Sequence, residues 1–305
     1  MSITIRAPAT IANFGPGFDV FGLALEGPCD KVRVRLRGDE IRIKLSGMAD
    51  GVPVNPPDNT AGLAVINFLK GIGEEGMGVD IAIKKGIRTG AGLGSSGACA
   101  AASVHALNKL FGSALTPNRL IEFAMGGEAA SGVTHADNVS ACSLGGFTII
   151  KNFDPIAVEK VEVPLIPIVI CTPLVHLQQR KTAATRRVIP ASFSLMDARE
   201  QISACSSLVR AMLDEDLIGI GRAVNRDHIS EPVRSMFIPG YWEIKGAVLK
   251  AGAYGCNISG GAPSIFAIVE KEEQGEIAEL MVEGFKQRGI ESEPILTKAS
   301  NRGCE

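Results

Sequence analysis

The sequence predicts an α+β fold in two domains, and three observations support this prediction. The chain has 305 residues, which is enough for two hydrophobic cores of ordinary size. Segments of alternating apolar side chains interleave with helical patterns along the whole length. Few of them form simple strand–helix–strand periods, so the pattern favours α+β over a doubly wound parallel sheet. A change in composition at residues 152–155 predicts domains over residues 1–153 and 154–305.

In the first half, apolar alternation predicts strands over residues 2–7, 31–36, 41–45, 79–83 and 145–150. Gly38 and Asp39 lie between the second and third of these strands, so a hairpin is expected there. Helical spacing predicts helices over residues 59–71, 98–111 and 117–126. Thr116 is the expected N-cap of the last helix, with Pro117 in its first turn.

The second half continues this mixture of strands and helices. Apolar patterning predicts strands over residues 166–171, 265–269 and 293–296. It predicts helices over residues 196–213, 241–251 and 273–288.

Composition excludes several classes of function. Lys plus Arg is 31, Asp plus Glu is 33 and aromatic residues are scarce, so neither a nucleic-acid partner nor an anionic membrane is expected. The seven cysteines include no Cys-x-x-Cys pair, which indicates reduced thiols rather than a zinc site or a disulfide framework. The most apolar run, residues 163–171, is far shorter than the roughly 20 residues of a membrane span. The first eight residues lack a signal-peptide core, so a cytoplasmic protein is predicted.

The segment Gly-Ala-Gly-Leu-Gly-Ser-Ser-Gly at residues 90–97 lies between a predicted strand and a predicted helix. Glycines let the backbone approach an anion closely, and the start of a helix offers unpaired N–H groups. The two serine hydroxyls can bind a phosphate oxygen or Mg²⁺. The segment therefore predicts a site for nucleotide phosphates, with these candidate residues: Gly90, Gly92, Leu93, Gly94, Ser95, Ser96 and Gly97.

Other interpretations of this segment compete. Residues 92–97 match the dinucleotide pattern G-x-G-x-x-G, but residues 86–91 separate them from the strand, and Glu122 is the only acidic residue about 20 positions on. The Walker A pattern is excluded because the sequence contains no Gly-Lys pair. The remaining alternative is that the glycines only permit a tight turn from strand to helix.

Three separated segments together resemble the GHMP kinase family. They are Ala-Pro-Ala-Thr-Ile-Ala-Asn-Phe-Gly-Pro-Gly-Phe-Asp at residues 7–19, the loop at residues 90–98, and Ile-Ser-Gly-Gly-Ala-Pro-Ser at residues 258–264. The resemblance implies an N-terminal ATP-binding domain like domain 2 of ribosomal protein S5, a ferredoxin-like C-terminal domain, and an active site between them. The third segment departs from the family's usual Ser-Gly-Ser-Gly-Pro-Thr, because Ala262 stands at a glycine position.

Within this family the chain most resembles the homoserine kinases. That resemblance rests on residues 17–22, 131–139, 182–190 and 231–234. It implies ATP-dependent phosphorylation of the L-homoserine hydroxyl to O-phospho-L-homoserine in threonine biosynthesis, with Mg²⁺ as cofactor and commonly a homodimer.

The resemblance also implies roles on the nucleotide side. Ser96 and Glu128 would hold Mg²⁺, a cation that prefers oxygen ligands. Asn59 would approach the nucleoside, and Gly260 in the third segment would lie at the nucleotide.

On the acceptor side, a zwitterionic substrate needs a cation for its carboxylate and an anion for its ammonium group. Arg186 and Arg234 suit the carboxylate, and Asp19 suits the ammonium group, with Asn13 beside it. His135, Asn138 and Thr182 would line the pocket. We expect Asn138 to orient the reacting hydroxyl, with Asp137 as the alternative, a catalytic base.

Each of these residues also has a structural interpretation. Asp19 can brace a turn, Arg234 can form a surface ion pair, and a lone histidine such as His135 is more often structural. The alternatives for the whole chain are a GHMP kinase for mevalonate or shikimate, a non-catalytic binding protein with this fold, and an NAD-dependent enzyme.

Overall fold

A computed structural model of the chain describes residues 1–112, 114–132, 134–175 and 185–305. Its first layer is a six-stranded sheet in which β3-β4-β2-β5-β6 are neighbours in that order and β1 pairs with β2. The strands are β1 (Ser2–Ala12), β2 (Phe21–Leu36), β3 (Ile41–Gly47), β4 (Val79–Lys85), β5 (Phe147–Phe153) and β6 (Ile156–Val161).

The predicted hairpin between β2 and β3 is wrong. β4 lies between these two strands, antiparallel to β2 and parallel to β3, so Val34 and Ile43 both pair with Ile81. The alternating apolar pattern of each strand is satisfied equally well by either neighbour. A turn signal at Gly38 therefore marked a reversal of the chain without specifying which strand pairs with which.

Helices cover one face of this sheet. They are α1 (Thr60–Ile72), α2 (Ser95–Leu110), α3 (Pro117–Glu128) and α4 (Asp137–Leu144). The predicted cap of α3 is confirmed, because the Thr116 hydroxyl accepts from the Arg119 N–H. The alanine-rich α2 is largely buried, since its small side chains let the backbone pack closely against β1 and β2. It begins at Ser95, three residues before the predicted start, so the helix starts inside the glycine-rich segment.

The second layer is a four-stranded antiparallel sheet in the order β10-β7-β9-β8. Its strands are β7 (Pro167–Pro173), β8 (Gly255–Ile258), β9 (Ile265–Ile268) and β10 (Ser292–Lys298). Its helices are α5 (Leu195–Leu213), α6 (Leu217–Val224), α7 (Glu231–Arg234), α8 (Tyr241–Lys250) and α9 (Gln274–Lys286). This arrangement agrees with the expected ferredoxin-like domain, and the α+β class is confirmed.

One apolar cluster extends across both layers, and a second lies within the second layer. The Phe14 ring stacks on Phe266 at 5.5 Å between centroids and meets Phe147 edge-on at 6.1 Å. β6 belongs to the first sheet, so the boundary predicted between residues 153 and 154 falls in the turn before that strand and stays a prediction. Among the helices of the described ranges, none combines the length and apolar character needed to cross a membrane.

Candidate active site

The glycine-rich segment forms a tight loop that ends at the start of α2. Gly92 and Gly94 both have positive φ, at 82° and 70°. A side chain at either position would also collide with neighbours: a Cβ on Gly92 would lie 2.5 Å from the Ser259 carbonyl oxygen, and one on Gly94 would lie 2.0 Å from the Thr10 hydroxyl. Glycine is therefore required here by both conformation and space. The result is a glycine-rich loop without side chains at positions 92 and 94 that leads into a helix N-terminus, the arrangement that binds anions.

The third sequence segment packs directly on this loop. The Ser259 hydroxyl donates to the Gly92 carbonyl at 2.7 Å, and the Ser264 N–H donates to the Ala91 carbonyl at 3.3 Å. Ala262 has φ of 68°, so it takes the left-handed conformation of the glycine that it replaces. The segment therefore has, at position 262, a backbone conformation that favours glycine, the residue of the family pattern.

A buried ion pair packs against the end of the loop, at the start of α2. Lys85, at the end of β4, pairs with Asp30 and also donates to the Ser95 carbonyl at 2.9 Å and to the Cys99 sulfur at 3.2 Å. Asp30 accepts in addition from the Gly86 N–H at 2.8 Å. Both charges are almost completely buried, so their partners compensate for lost hydration. Sequence analysis missed this cluster, because each residue lies in a different element and matches no motif.

Ser96 and Glu128 come together at the start of α2. The Ser96 hydroxyl donates to Glu128 Oε2 at 3.1 Å, while Oε1 of the same carboxylate is buried with no hydrogen-bond partner among the described residues. Burial raises the pKa of Glu128 to about 7. An unpartnered buried carboxylate oxygen beside a serine hydroxyl is a donor set that fits Mg²⁺, since a cation would supply the missing partner. Among the described residues there is no cluster of three or more His, Cys, Asp or Glu side chains that could hold a metal. A cation at Ser96 and Glu128 would therefore need further ligands, such as phosphate oxygens.

The Ser95 hydroxyl points the other way. It is buried and donates to the Ile87 carbonyl at 3.1 Å. The Leu93 carbonyl accepts from the Thr10 N–H at 3.1 Å, which ties the loop to β1. Because the Ser95 hydroxyl and the Leu93 side chain are buried, these two residues can contact a nucleotide through backbone groups rather than side chains.

Asn138 lies beside the glycine-rich loop, three residues after His135. With Asp19, Arg186 and Arg234, His135 forms the predicted acceptor pocket described below. The Oδ1 of Asn138 accepts from the Thr10 hydroxyl at 2.7 Å and would lie 2.8 Å from a Cβ on Gly94. This bond leaves the amide NH₂ as the group that can turn to a substrate hydroxyl. The neighbouring Asp137 is buried, and burial raises its pKa, although it accepts from the Asn138 N–H at 2.8 Å.

Asp19 is the centre of a charged group in this pocket. It forms an ion pair with Arg186, and its other oxygen lies 3.4 Å from His135 Nδ1. Its N–H donates to Asn13 Oδ1 at 2.9 Å, and Asn13 Nδ2 donates to the Gly260 carbonyl at 3.3 Å. The structure thus brings together four predicted acceptor residues from distant parts of the chain and connects them to Gly260.

Arg234 is the buried cation of the pocket. Its guanidinium donates to the Gly260 carbonyl at 3.0 Å and to the Thr185 carbonyl at 3.4 Å. Burial lowers its pKa, while the negative charges of Asp19, Asp227 and Asp137 raise it, Asp19 most of the three. Two donated hydrogen bonds leave further N–H donors of the guanidinium group for an anionic ligand.

A loop organised by Asp227 positions Arg234. The Asp227 carboxylate accepts from the N–H groups of Ser230 at 2.9 Å and Glu231 at 3.0 Å, which begins α7. Gln201 on α5 donates both to Asp227 and to the Pro16 carbonyl. One buried amide thereby links the Arg234 segment to the loop that carries Asp19.

One predicted residue, Asn59, lies apart from this group. Asn59 caps α1, with its side chain accepting from the Ala61 N–H at 2.9 Å and donating to the Pro53 carbonyl at 2.7 Å. Its part in nucleoside binding stays a prediction. Thr182 lies outside the described residues.

Comparisons with known proteins agree with this geometry. Residues 59–146 match the model of the GHMP kinases N-terminal domain, and residues 208–287 match that of the GHMP kinases C-terminal domain. Among relatives, the chain is 40% identical to a homoserine kinase of Pyrococcus abyssi, over all of this chain and 99% of that protein. It is 38% identical to a homoserine kinase of Methanocella arvoryzae, over 97% of this chain and 94% of that protein. A crystal structure of homoserine kinase from Cytophaga hutchinsonii superposes with a TM-score of 0.91 at 38% identity, covering 100% of this chain and 96% of that one.

Proposed function

The chain belongs to the GHMP kinase family and is a kinase, and from this premise we propose that it transfers the γ-phosphate of ATP to the side-chain hydroxyl of L-homoserine. The observation that carries the proposal is the position of Asn138. Its side-chain oxygen accepts from the Thr10 hydroxyl of β1 and lies beside Gly94 of the glycine-rich loop. Asn138 is also the second residue of α4, which follows His135 of the charged acceptor pocket. A phosphoryl donor and an alcohol acceptor bound on these two sides would meet at this amide.

On the nucleotide side, the backbone N–H groups of residues 92–97 would hold the β- and γ-phosphates at the start of α2. Gly260 would border the phosphates through its close contact with the loop, and Asn59 would approach the nucleoside from the start of α1. Ser95 and Leu93 would contribute through the backbone, since the serine hydroxyl is committed to Ile87.

Ser96 and Glu128 would hold Mg²⁺ together with the phosphate oxygens. The ion, when bound, supplies positive charge that neutralises charge developing on the transferred phosphoryl group. Burial raises the pKa of Glu128 to about 7, so a cation bound beside its carboxylate would favour the deprotonated form. The buried Oε1 has no partner among the described residues, so it is available to such a cation.

On the acceptor side, the substrate carboxylate would lie between the guanidinium groups of Arg186 and Arg234. The ammonium group would share the Asp19 carboxylate with Arg186, near Asn13 and His135. Thr182 would complete the pocket. A pocket with both charges selects a zwitterion, whereas mevalonate and shikimate have no ammonium group.

Asn138 would orient the reacting hydroxyl with its free NH₂ group, and the proton would leave to the transferred phosphate. Asp137 is the alternative proton acceptor, and its raised pKa suits that role. Its carboxylate is buried and already accepts from the Asn138 N–H, so we assign the orienting role to Asn138 first.

The product, O-phospho-L-homoserine, would enter threonine biosynthesis. We place the reaction in the cytoplasm. We also expect the protein to form a homodimer, and light scattering after gel filtration would test this oligomeric state directly.

The function is tested by measuring ADP release with Mg²⁺ and ATP in the presence of L-homoserine, mevalonate or shikimate. We expect turnover only with L-homoserine and no ADP release when EDTA removes the cation. Turnover with mevalonate or shikimate and not with L-homoserine would overturn the proposal, as would ATP binding without turnover on any of these alcohols.

A further inference from the structure

Phe18 lies against both arginines of the acceptor pocket. The Arg186 guanidinium carbon is 4.8 Å from the centroid of the Phe18 ring, and the Arg234 guanidinium carbon is 5.3 Å from the same centroid. Both distances are within the range of a cation–π interaction, which is about 6 Å. One aromatic ring therefore contacts two cations that approach from different segments of the chain.

The two guanidinium groups repel each other, and the surrounding residues compensate them unequally. Arg186 has an ion pair with Asp19, whereas the described hydrogen bonds of Arg234 go to two backbone carbonyls. Arg234 is also the more buried of the two, so its repulsion with Arg186 is screened less by water. Holding both cations in one small pocket therefore needs a group that attracts each of them.

The face of a phenylalanine ring provides such an attraction, because its quadrupole is negative there. Phe18 is only half-buried and belongs to neither of the apolar core clusters formed by the described residues. Its neighbour Asp19 has φ of 57° and donates its N–H to Asn13 Oδ1, so the backbone next to Phe18 is held in place. Among the described residues, the cations that contact this ring are the two arginines.

We propose that Phe18 is a positioning residue that holds the guanidinium groups of Arg186 and Arg234 at the separation needed to bind one carboxylate. Through these arginines it sets the preference of the enzyme for an amino-acid acceptor over an alcohol without a carboxylate. This inference rests on the proposed function and names the residue that gives the same site its selectivity.

Phe18→Leu removes the aromatic face while keeping an apolar side chain, and Phe18→Tyr keeps the ring. The acceptors are L-homoserine and 3-aminopropan-1-ol, which has the hydroxyl and the ammonium group but no carboxylate. Phe153→Leu is the matched control, since Phe153 is exposed at the far end of β5. Titration of L-homoserine by calorimetry provides a readout that does not require turnover.

For Phe18→Leu we expect KM and the calorimetric Kd for L-homoserine to rise about tenfold, while KM for ATP changes less than twofold. Activity with 3-aminopropan-1-ol should stay within twofold of wild type, so the preference for L-homoserine falls about tenfold. Phe18→Tyr should recover values within threefold of wild type, and Phe153→Leu should match wild type.

An unchanged preference in Phe18→Leu would overturn the inference. An equal loss with both acceptors would do the same, because it would show general support of the pocket. A failure of Phe18→Tyr to recover the preference would also contradict it. Wild-type enzyme that binds L-homoserine without phosphorylating it would instead refute the proposed function, and the calorimetric comparison of the variants would still decide the role of Phe18.

Discussion

The phosphate loop and the acceptor pocket are built in different ways. The loop is one continuous segment whose shape is fixed by glycines, by the buried Lys85–Asp30 pair and by the third sequence segment. The acceptor pocket draws single side chains from the loop after β1, from the residues before α4 and from two segments of the second half of the chain, and they are joined mainly by charge. If these regions bind as proposed, phosphate binding depends on backbone shape, whereas acceptor recognition depends on the balance of a few charges.

The largest expected effect is a loss of stability when the buried Lys85–Asp30 ion pair next to the phosphate loop is broken. Lys85→Met leaves Asp30 as a buried charge without its cation, so we expect the free energy of unfolding to fall by about 3–5 kcal/mol. Urea denaturation measures this change. The neighbouring Lys84, whose side chain is exposed, provides the control Lys84→Met, which should change stability by less than about 0.5 kcal/mol. Equal effects of the two substitutions would show that the buried pair does not support the loop.

The next effect concerns Glu128, the proposed ligand of Mg²⁺. Glu128→Gln removes the charge but keeps the shape, so we expect kcat to fall by at least about 100-fold. The fold should persist, because an amide is less costly to bury than a carboxylate. Initial rates across a range of Mg²⁺ concentrations measure the loss, and wild-type activity in the variant would exclude Glu128 as a metal ligand.

Glu128 also predicts a pH dependence of stability in the presence of EDTA. Its pKa is about 7 in the folded chain against 4.5 ordinarily, because burial disfavours the charged form. Between these values the unfolded chain releases a proton that the folded chain retains, so the contribution is fully present below pH 4.5 and is lost as the pH rises through 7. The fall would reach about 3 kcal/mol, and Glu128→Gln should abolish it. Urea denaturation at pH 5 and pH 8 gives the comparison, and identical pH dependence in both proteins would contradict it.

In the acceptor pocket, Arg234→Ala should affect one substrate more than the other. We expect KM for L-homoserine to rise about 30-fold or more, equivalent to about 2 kcal/mol, while KM for ATP stays within about threefold. Steady-state kinetics with each substrate varied in turn measures both values. Arg222→Ala, on the exposed face of α6, is the control. Comparable losses for both substrates would mean that Arg234 supports the whole site through Gly260 rather than binding the acceptor.

The smallest predicted effect distinguishes the two candidate groups at the hydroxyl. If Asn138 orients the acceptor and no side-chain base is needed, Asn138→Ala should lower kcat by about 10- to 30-fold, and Asp137→Asn should lower it less. A general base contributes typically 10²- to 10⁴-fold. A loss of that size in Asp137→Asn, with a smaller one in Asn138→Ala, would assign the base to Asp137.

Sequence analysis predicted the loop better than the pocket, and the molecule shows why. The glycines at 92 and 94 are needed by a local conformation, so a local pattern reveals them. The pairing of Asp19 with Arg186 joins residues 167 positions apart, and only resemblance to a family placed them together. Lys85, Phe18 and Gln201 were missed because their roles exist only once the chain has folded. The hairpin was wrong for the same reason, since strand patterns record which face is buried but not which strand lies alongside.

We propose that a nucleotide bound at the start of α2 presents its terminal phosphate to an amino acid held beside Asn138. A crystal structure with Mg²⁺, a non-hydrolysable ATP analogue and L-homoserine tests it most directly. We predict phosphate oxygens on the N–H groups of residues 92–97, with the acceptor hydroxyl within about 3.5 Å of the terminal phosphorus. Phosphates bound away from this loop, or an amino acid bound away from Arg234 and Asp19, would contradict the account.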